Sequence, residues 1–366
     1  MQRTTRQVIL KIHLYLGLVA AIFLLILSAT GSVIAFEHDI ERWFKPKLWV
    51  VTPAVHQLSE DELIRIAERA YGPAHVVSVQ MPSRPDVVHV LQMSDSSGVY
   101  INPWNGEIRG RTVGQTGMQR WIGYLHQLHL RLVPNPQAMP SLAAPGKLVV
   151  SYAGLLLCFL VPTGVILWWR TKTGSIRRSS PWFRIGFDIH RAVGIYSAAF
   201  LFVSAFTGIM VGFGVAEKAI YAVMHSPEPN RMRPPKAEDS NGRPLISVDQ
   251  IILAARSAIP GSSVMSLRMP SSPQAVFTVY LRSPADFSVD GAVPIPIYVD
   301  PYSGHPVQVQ DLFAESPGYR MVRLNRAIHT GDYFGLPGNI VMSLSSLVLG
   351  VMVITGVIIR LKKLAG

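Results

Sequence analysis

Four runs of apolar residues, at 8–36, 148–169, 187–213 and 339–359, constrain this chain more than any other feature. Each can supply the roughly 20 apolar residues a helix needs to cross a hydrocarbon core. Composition agrees. Of 366 residues 49% are hydrophobic and 15% charged, whereas a soluble domain carries about 25% charge. The expected fold is a membrane all-α four-helix transmembrane bundle with two external α+β domains and an internal duplication. The first run starts basic and holds the small residues Ser28-Ala29-Thr30-Gly31, as a secretory signal would. Its apolar stretch is far longer than the roughly 7–15 residues of a signal core, so it reads as a retained span.

Charge orients the spans. The net charge is +12, and the excess is local. Arg3, Arg6 and Lys11, then Arg170, Lys172, Arg177, Arg178 and Arg184, then Arg360, Lys362 and Lys363 sit in short segments without an acid. The long loops are balanced: 37–147 holds 11 basic and 10 acidic residues, and 214–337 holds 11 of each. Positive charge gathers in short segments on the cytoplasmic face. Both termini are therefore expected inside and both long loops outside, and a basic nucleic-acid surface is disfavoured. The single Cys158 falls inside a span, so no intrachain disulfide supports the loops.

The chain also repeats itself. The run from Ile12, IHLYLGLVAAIFLLILSATGSVIAF, aligns without gaps on IHRAVGIYSAAFLFVSAFTGIMVGF from Ile189. His13 falls on His190, Gly17 on Gly194, and Thr30-Gly31 on Thr207-Gly208. Spans two and four match as well. Pro145-Gly146 falls on Pro337-Gly338, and Thr163-Gly164-Val165-Ile166 on Thr355-Gly356-Val357-Ile358. Each long loop carries a Ser-capped helical pattern, at 59–70 and 247–258, followed by short β-rich runs. Those runs are 76–81, 87–92 and 99–101 in the first loop, and 264–269, 275–281 and 295–299 in the second. Tyr100-Ile101-Asn102-Pro103 with Gly106 recurs as Tyr298-Val299-Asp300-Pro301 with Gly304, a strand ending in a turn. The prolines at 134, 136, 140 and 145 mark an irregular link before span two, and 231–243 reads as an external linker.

The expected organisation is thus span 1–36, external domain 37–116, amphipathic segment and link 117–146, and span 147–169. A cytoplasmic loop 170–186, span 187–213, external domain 214–322, pre-span segment 323–337, span 338–359 and tail 360–366 follow. Both copies enter the bilayer the same way, so equivalent residues share a depth.

That symmetry makes the histidines informative. His13 and His190 lie in the first turns of spans one and three, at one expected depth. His126 and His129 share a helical face ahead of span two, and His329 lies ahead of span four. Aligning Arg120 on Arg323 places His126 on His329, and residue reasoning leaves His126 and His129 as alternatives. Two imidazoles at one depth, one from each half, suit a haem with two axial histidines, a low-spin electron carrier. Gly17 and Gly194, one turn beyond the inner histidines, would make room for it, although small residues four apart also mark ordinary close packing in lipid. An ionisable group in a span is a functional candidate by default. His56, His75, His89, His225 and His305 fall in polar stretches and read as solvated surface. No nucleotide loop, H-E-x-x-H or C-x-x-C is present, and catalytic residues beyond the ligands are not identified.

The IHLYLGL and IHRAVGI openings, the S-x-T-G and T-G-V-I turns, the LHLRL segment and the Asp-Pro-x-x-Gly strand end resemble the PepSY-associated transmembrane family of bacterial inner-membrane proteins. The resemblance implies PepSY-like external domains on a four-helix bundle. It implies two haem b groups, with His13 and His190 as inner ligands and His129 and His329 as outer ones. It also implies a ferrisiderophore reductase, taking electrons from a cytoplasmic or membrane donor to ferric siderophore iron in the periplasm. The alternative is a membrane-anchored PepSY interaction or regulatory module without redox activity.

Overall fold

The computed structural model describes residues 3–82, 84–169, 182–229, 233–240, 242–288, 292–309, 311, 313 and 316–365. The basic cluster at 170–178 lies outside these residues, as do 231, 232 and 241 of the expected external linker. Four long apolar helices form the bundle: α1 (Arg3–Ile34), α6 (Pro140–Trp169), α7 (Trp182–Gly212) and α11 (Leu336–Ala365). All four are long and apolar enough to span a membrane. Their outward faces carry Val19, Ile22, Tyr196, Phe200, Leu344 and Ile354, each about half or more exposed. An apolar surface of that extent suits lipid and not water. The prolines before span two do not make an irregular link throughout. Pro140 opens α6, where a missing N–H costs nothing, and the helix continues through Pro145.

Both α1 and α7 pack on α6 and on α11, so α1 and α7 stand diagonally. Small residues let the neighbours approach. A Cβ on Gly350 would come within 2.6 Å of Ser28 Oγ, and Ser28 donates to the carbonyl of Ser346 at 2.5 Å. The bundle centre is a layer of leucines, Leu24, Leu157, Leu201 and Leu349, with Ala20, Ala153 and Ala205 beside them.

The rest is an antiparallel sheet domain. Its strands are β1 (Val76–Gln80), β2 (His89–Met93), β3 (Ser97–Ile101), β4 (Ile108–Val113), β5 (Ser263–Arg268), β6 (Phe277–Arg282), β7 (Ile295–Val299) and β8 (Pro306–Gln308). Sequence periodicity missed β4 and β8, which carry few buried apolar side chains. The two loops do not form separate sheets. β1 pairs with β5 through Val79↔Leu267, giving one sheet in the order β4-β3-β2-β1-β5-β6-β7-β8. The helices α4 (Glu60–Tyr71) and α9 (Val248–Ala258) lie on one face, burying Leu63, Ala67, Ile251 and Ala255. Ser59 with Glu62 and Ser247 with Gln250 form capping boxes at their starts. The turn after β3 needs Gly106, which has φ +73°; a side chain there would strike Ile66. Gly304 does the same in the second loop.

Between sheet and bundle lie α2 (Glu37–Phe44), α3 (Pro46–Trp49), α5 (Gly117–Arg131), α8 (Gly214–Val223) and α10 (Pro317–Thr330). α5 and α10 carry the outer histidines. Each is pinned to the helix after it by a backbone contact. A Cβ on Gly146 would overlap the carbonyl of Arg131, and one on Gly338 would overlap that of Gly331. The repeated Pro-Gly pairs therefore seat α5 on α6 and α10 on α11.

Candidate functional site

Four imidazoles form two facing pairs in the bundle. His13 from α1 and His190 from α7 meet across the diagonal, with ring centres 6.3 Å apart and planes at 87°. His129 from α5 and His329 from α10 meet towards the sheet, with centres 6.5 Å apart and planes at 48°. On α1 the inner histidine and Thr30, which contacts the outer pair, are 17 residues apart. At 1.5 Å per residue the two levels are about 26 Å apart, most of a bilayer core of roughly 30 Å.

Each imidazole has the same support. His13 Nδ1 lies 2.9 Å from Thr163 Oγ1, and His190 Nδ1 lies 2.9 Å from Thr355 Oγ1. His129 Nδ1 lies 2.9 Å from Thr30 Oγ1, and His329 Nδ1 lies 3.0 Å from Thr207 Oγ1. Each hydroxyl also donates to the carbonyl four residues back: Phe159 at 2.8 Å, and Val351, Ile26 and Val203 at 2.7 Å each. A hydroxyl has one hydrogen, and a carbonyl can only accept. The network thus assigns Nδ1–H as the donor to threonine and leaves each Nε2 a bare lone pair. The glycine after each threonine makes room for the ring. A Cβ on Gly164 or Gly356 would lie 3.3 or 3.4 Å from the imidazole Cε1, and one on Gly31 or Gly208 would lie 3.0 Å from it.

Burial keeps the outer pair neutral. It pushes His129 down to about 3, with His329 and His126 adding repulsion, and it lowers His329 as well. Neutral imidazole is the form that binds metal. A cavity of about 360 Å³ surrounds the inner pair. Leu24, Leu157, Leu201 and Leu349 line its deep end, and Gly17, Gly194, Gly164 and Gly356 contribute to its walls.

The sequence alternatives resolve in space. His129, not His126, meets His329. The alignment of Arg120 on Arg323 runs three residues out of step, because Thr116 caps α5 as Ser316 caps α10 and the helices correspond from those caps. His126 Nδ1 instead lies 2.6 Å from Glu37 on α2. Glu41, one turn on, accepts from Thr116 Oγ1 at 2.6 Å and from Gln119 Nε2 at 2.8 Å. Two acids of α2 thus clamp the helix that presents His129. On α10, Asn325 donates to the carbonyl of Thr207 at 3.1 Å. His89 is not solvated surface. It is 6% exposed on β2, with Nδ1 3.0 Å from Glu60 Oε1. Residue reasoning overlooked the four threonines as partners, although the repeated Thr-Gly pairs were their signal.

Among the described residues no three His, Cys, Asp or Glu side chains converge as a metal cluster. Each site brings together two imidazoles whose Nε2 atoms are left without a proton. Two imidazoles sharing one ion in line, with metal–nitrogen distances of about 2.0 Å and ring centres roughly 1.1 Å behind, stand about 6.2 Å apart. Both pairs are near that spacing.

Comparison with known proteins places the site in context. The profile described as the PepSY-associated TM region matches residues 10–363. An "Uncharacterized protein PA4219" of Pseudomonas aeruginosa is 33% identical over 139 residues, covering 35% of this chain and 34% of that protein. The chain thus spans about a third of the length of the curated relative it matches.

Proposed function

Because the chain belongs to the PepSY-associated TM family and brings its imidazoles together in two close pairs, we propose that it carries electrons across a membrane on two haem b groups. The observation that carries this reading is the paired geometry: ring centres 6.3 and 6.5 Å apart, with every Nδ1 held by a threonine. Two nitrogens do not satisfy an ion that takes four or more ligands, so the remaining donors come with the ligand, as a flat tetrapyrrole supplies them. A haem held by two histidines supplies a one-electron Fe(III)/Fe(II) couple.

The chain's own residues do the rest. His13 and His190 would hold the inner group, and His129 and His329 the outer one. The threonines fix the tautomer and raise imidazole basicity. The leucine layer keeps water and protons from bridging the two levels. We place the inner pair near the cytoplasmic face and the sheet domain in the periplasm of an inner membrane, following the charge of the short segments. The two halves read as duplicated units, and the sheet domain as two joined PepSY-like domains. A cytoplasmic or membrane reductant gives one electron at a time, and ferric siderophore iron accepts it. Fe(II) holds hard oxygen donors more weakly, which frees the iron.

The test is a reduced-minus-oxidised spectrum and a haem count on the full-length protein expressed with haem supplied. Two haems per chain are expected. His190→Ala should remove one spectral component and His329→Ala the other. A folded, colourless protein would sink the proposal and favour an interaction module.

A further inference from the structure

Two short helices turn the wrong side outward for a surface in water. α2 buries Asp39 and Glu41 together with Ile40, and leaves Trp43 and Phe44 exposed, Phe44 by 71%. A helix facing water shows its charges and hides its aromatic rings. The buried acids are satisfied inside, Asp39 by Arg42 and Glu41 by α5. α8 starts where the gapless repeat of α1 and α7 places its counterpart, with Glu37 falling on Gly214. It packs Tyr221 against Gly318 of α10 and exposes Val215, Ala219, Ala222 and Val223, Val215 by 79%. The one acid of α8, Glu217, falls on Tyr221's side of the helix.

Both faces lie level with span ends. Trp43 packs on Phe36, the last residue of the first apolar run, with ring centres 5.3 Å apart. Phe213, at the start of α8, packs on Tyr152 of α6 at 5.4 Å. Aromatic rings gather at that level, where membrane meets water. Lys47 and Lys218 are exposed beside these faces, and a lysine stem can lie along apolar surface while its head reaches a phosphate. α1 and α7 stand diagonally, so α2 and α8 leave the bundle at opposite corners. A partner chain seated on one face leaves the other bare, whereas lipid surrounds both. We propose that α2 and α8 lie in the membrane surface on the sheet side, their exposed apolar side chains set between phospholipid headgroups and acyl chains. That lipid is continuous with the lipid around the spans. The seat serves the outer site, because α2 holds α5 through Glu37 and Glu41, and α8 holds α10 through Tyr221. It stands whether or not the histidines bind haem.

The experiment uses full-length protein in nanodiscs of phosphatidylethanolamine and phosphatidylglycerol. On a Cys158→Ala background, one nitroxide label at a time is attached through Phe44→Cys, Val215→Cys or Leu253→Cys. Leu253 is exposed on α9, which packs on the sheet and on α4, and serves as the water-facing reference. Collisions with oxygen, which concentrates in lipid, are compared with collisions with a nickel chelate, which stays in water. Labels at 44 and 215 should meet oxygen in excess and read about 5–10 Å below the phosphates. The label at 253 should meet the chelate in excess. Labels at 44 and 215 that meet the chelate as often as the one at 253 would overturn the proposal. Spin–spin broadening at either position would overturn it as well, since that places a second copy of the chain on the face. Trp43→Cys and Val223→Cys repeat the measurement on the same two faces, so the result does not hang on one variant's folding.

Discussion

Replacing Thr163 by valine tests the part of the site that carries the chemistry. Valine keeps the shape of threonine and removes the one oxygen that accepts from His13 Nδ1 at 2.9 Å. The imidazole must then leave that N–H unpaired or move the proton to Nε2, the nitrogen needed for a ligand. A buried donor left unpaired costs about 1–3 kcal/mol. The lost partner is a neutral hydroxyl and not a carboxylate, so the lower half of that range applies, which is about tenfold in affinity. Loss of a hydrogen-bond partner behind a metal-bound histidine typically costs about 10–100-fold, and the two estimates meet near tenfold. Thr163→Val should therefore release the inner haem about ten times faster in a scavenger assay and leave the outer one alone. The inner midpoint potential should rise, because a less basic imidazole favours Fe(III) less. Thr163→Ser restores the oxygen and should restore both values. If the valine variant releases haem at the wild-type rate, or loosens both sites alike, the tautomer argument is wrong.

Three further outcomes follow from the geometry. Gly338→Ala drives a methyl into the carbonyl of Gly331, so it should unseat α10 and cost roughly 3 kcal/mol or more of stability. The outer spectral component should fade first, with the inner one retained. His126→Ala should keep two haems per chain, because His126 pairs with Glu37 and not with His329; loss of the outer component would reverse that assignment. At the start of α4, Asp61 accepts from the amides of Val248 and Asp249, and Asp249 accepts from that of Glu60. Burial and the neighbouring Asp61 raise Asp249, while hydrogen bonds from Asp249 and Val248 outweigh burial and hold Asp61 low. The folded chain thus keeps a proton on Asp249 that the unfolded chain gives up, so stability falls as pH rises through the raised value. It falls again in acid as Asp61 protonates. Asp249→Asn should remove the loss that sets in as pH rises above the ordinary carboxylate range and flatten thermal midpoints on that side; an unchanged slope would discount the pair.

The spans, their number and the level of the inner histidines were legible in the residues themselves. Hydrophobicity is local, and a gapless repeat places His13 and His190 in equivalent turns without any knowledge of packing. Where a contact depends on how distant elements meet, the residues were silent. Joining both loops into one sheet rests on the pairing of β1 with β5, for which the strands carry no marker. Choosing His129 over His126 rests on how α5 is rotated, and Glu37, Glu41 and the Gly146 contact with Arg131 set that rotation from other segments. The four threonines were visible as a motif, yet their role appears only when Thr163 comes within 2.9 Å of a ring 150 residues away. A lone pair is directed by its hydrogen-bond partner in space, and sequence spacing does not encode that direction.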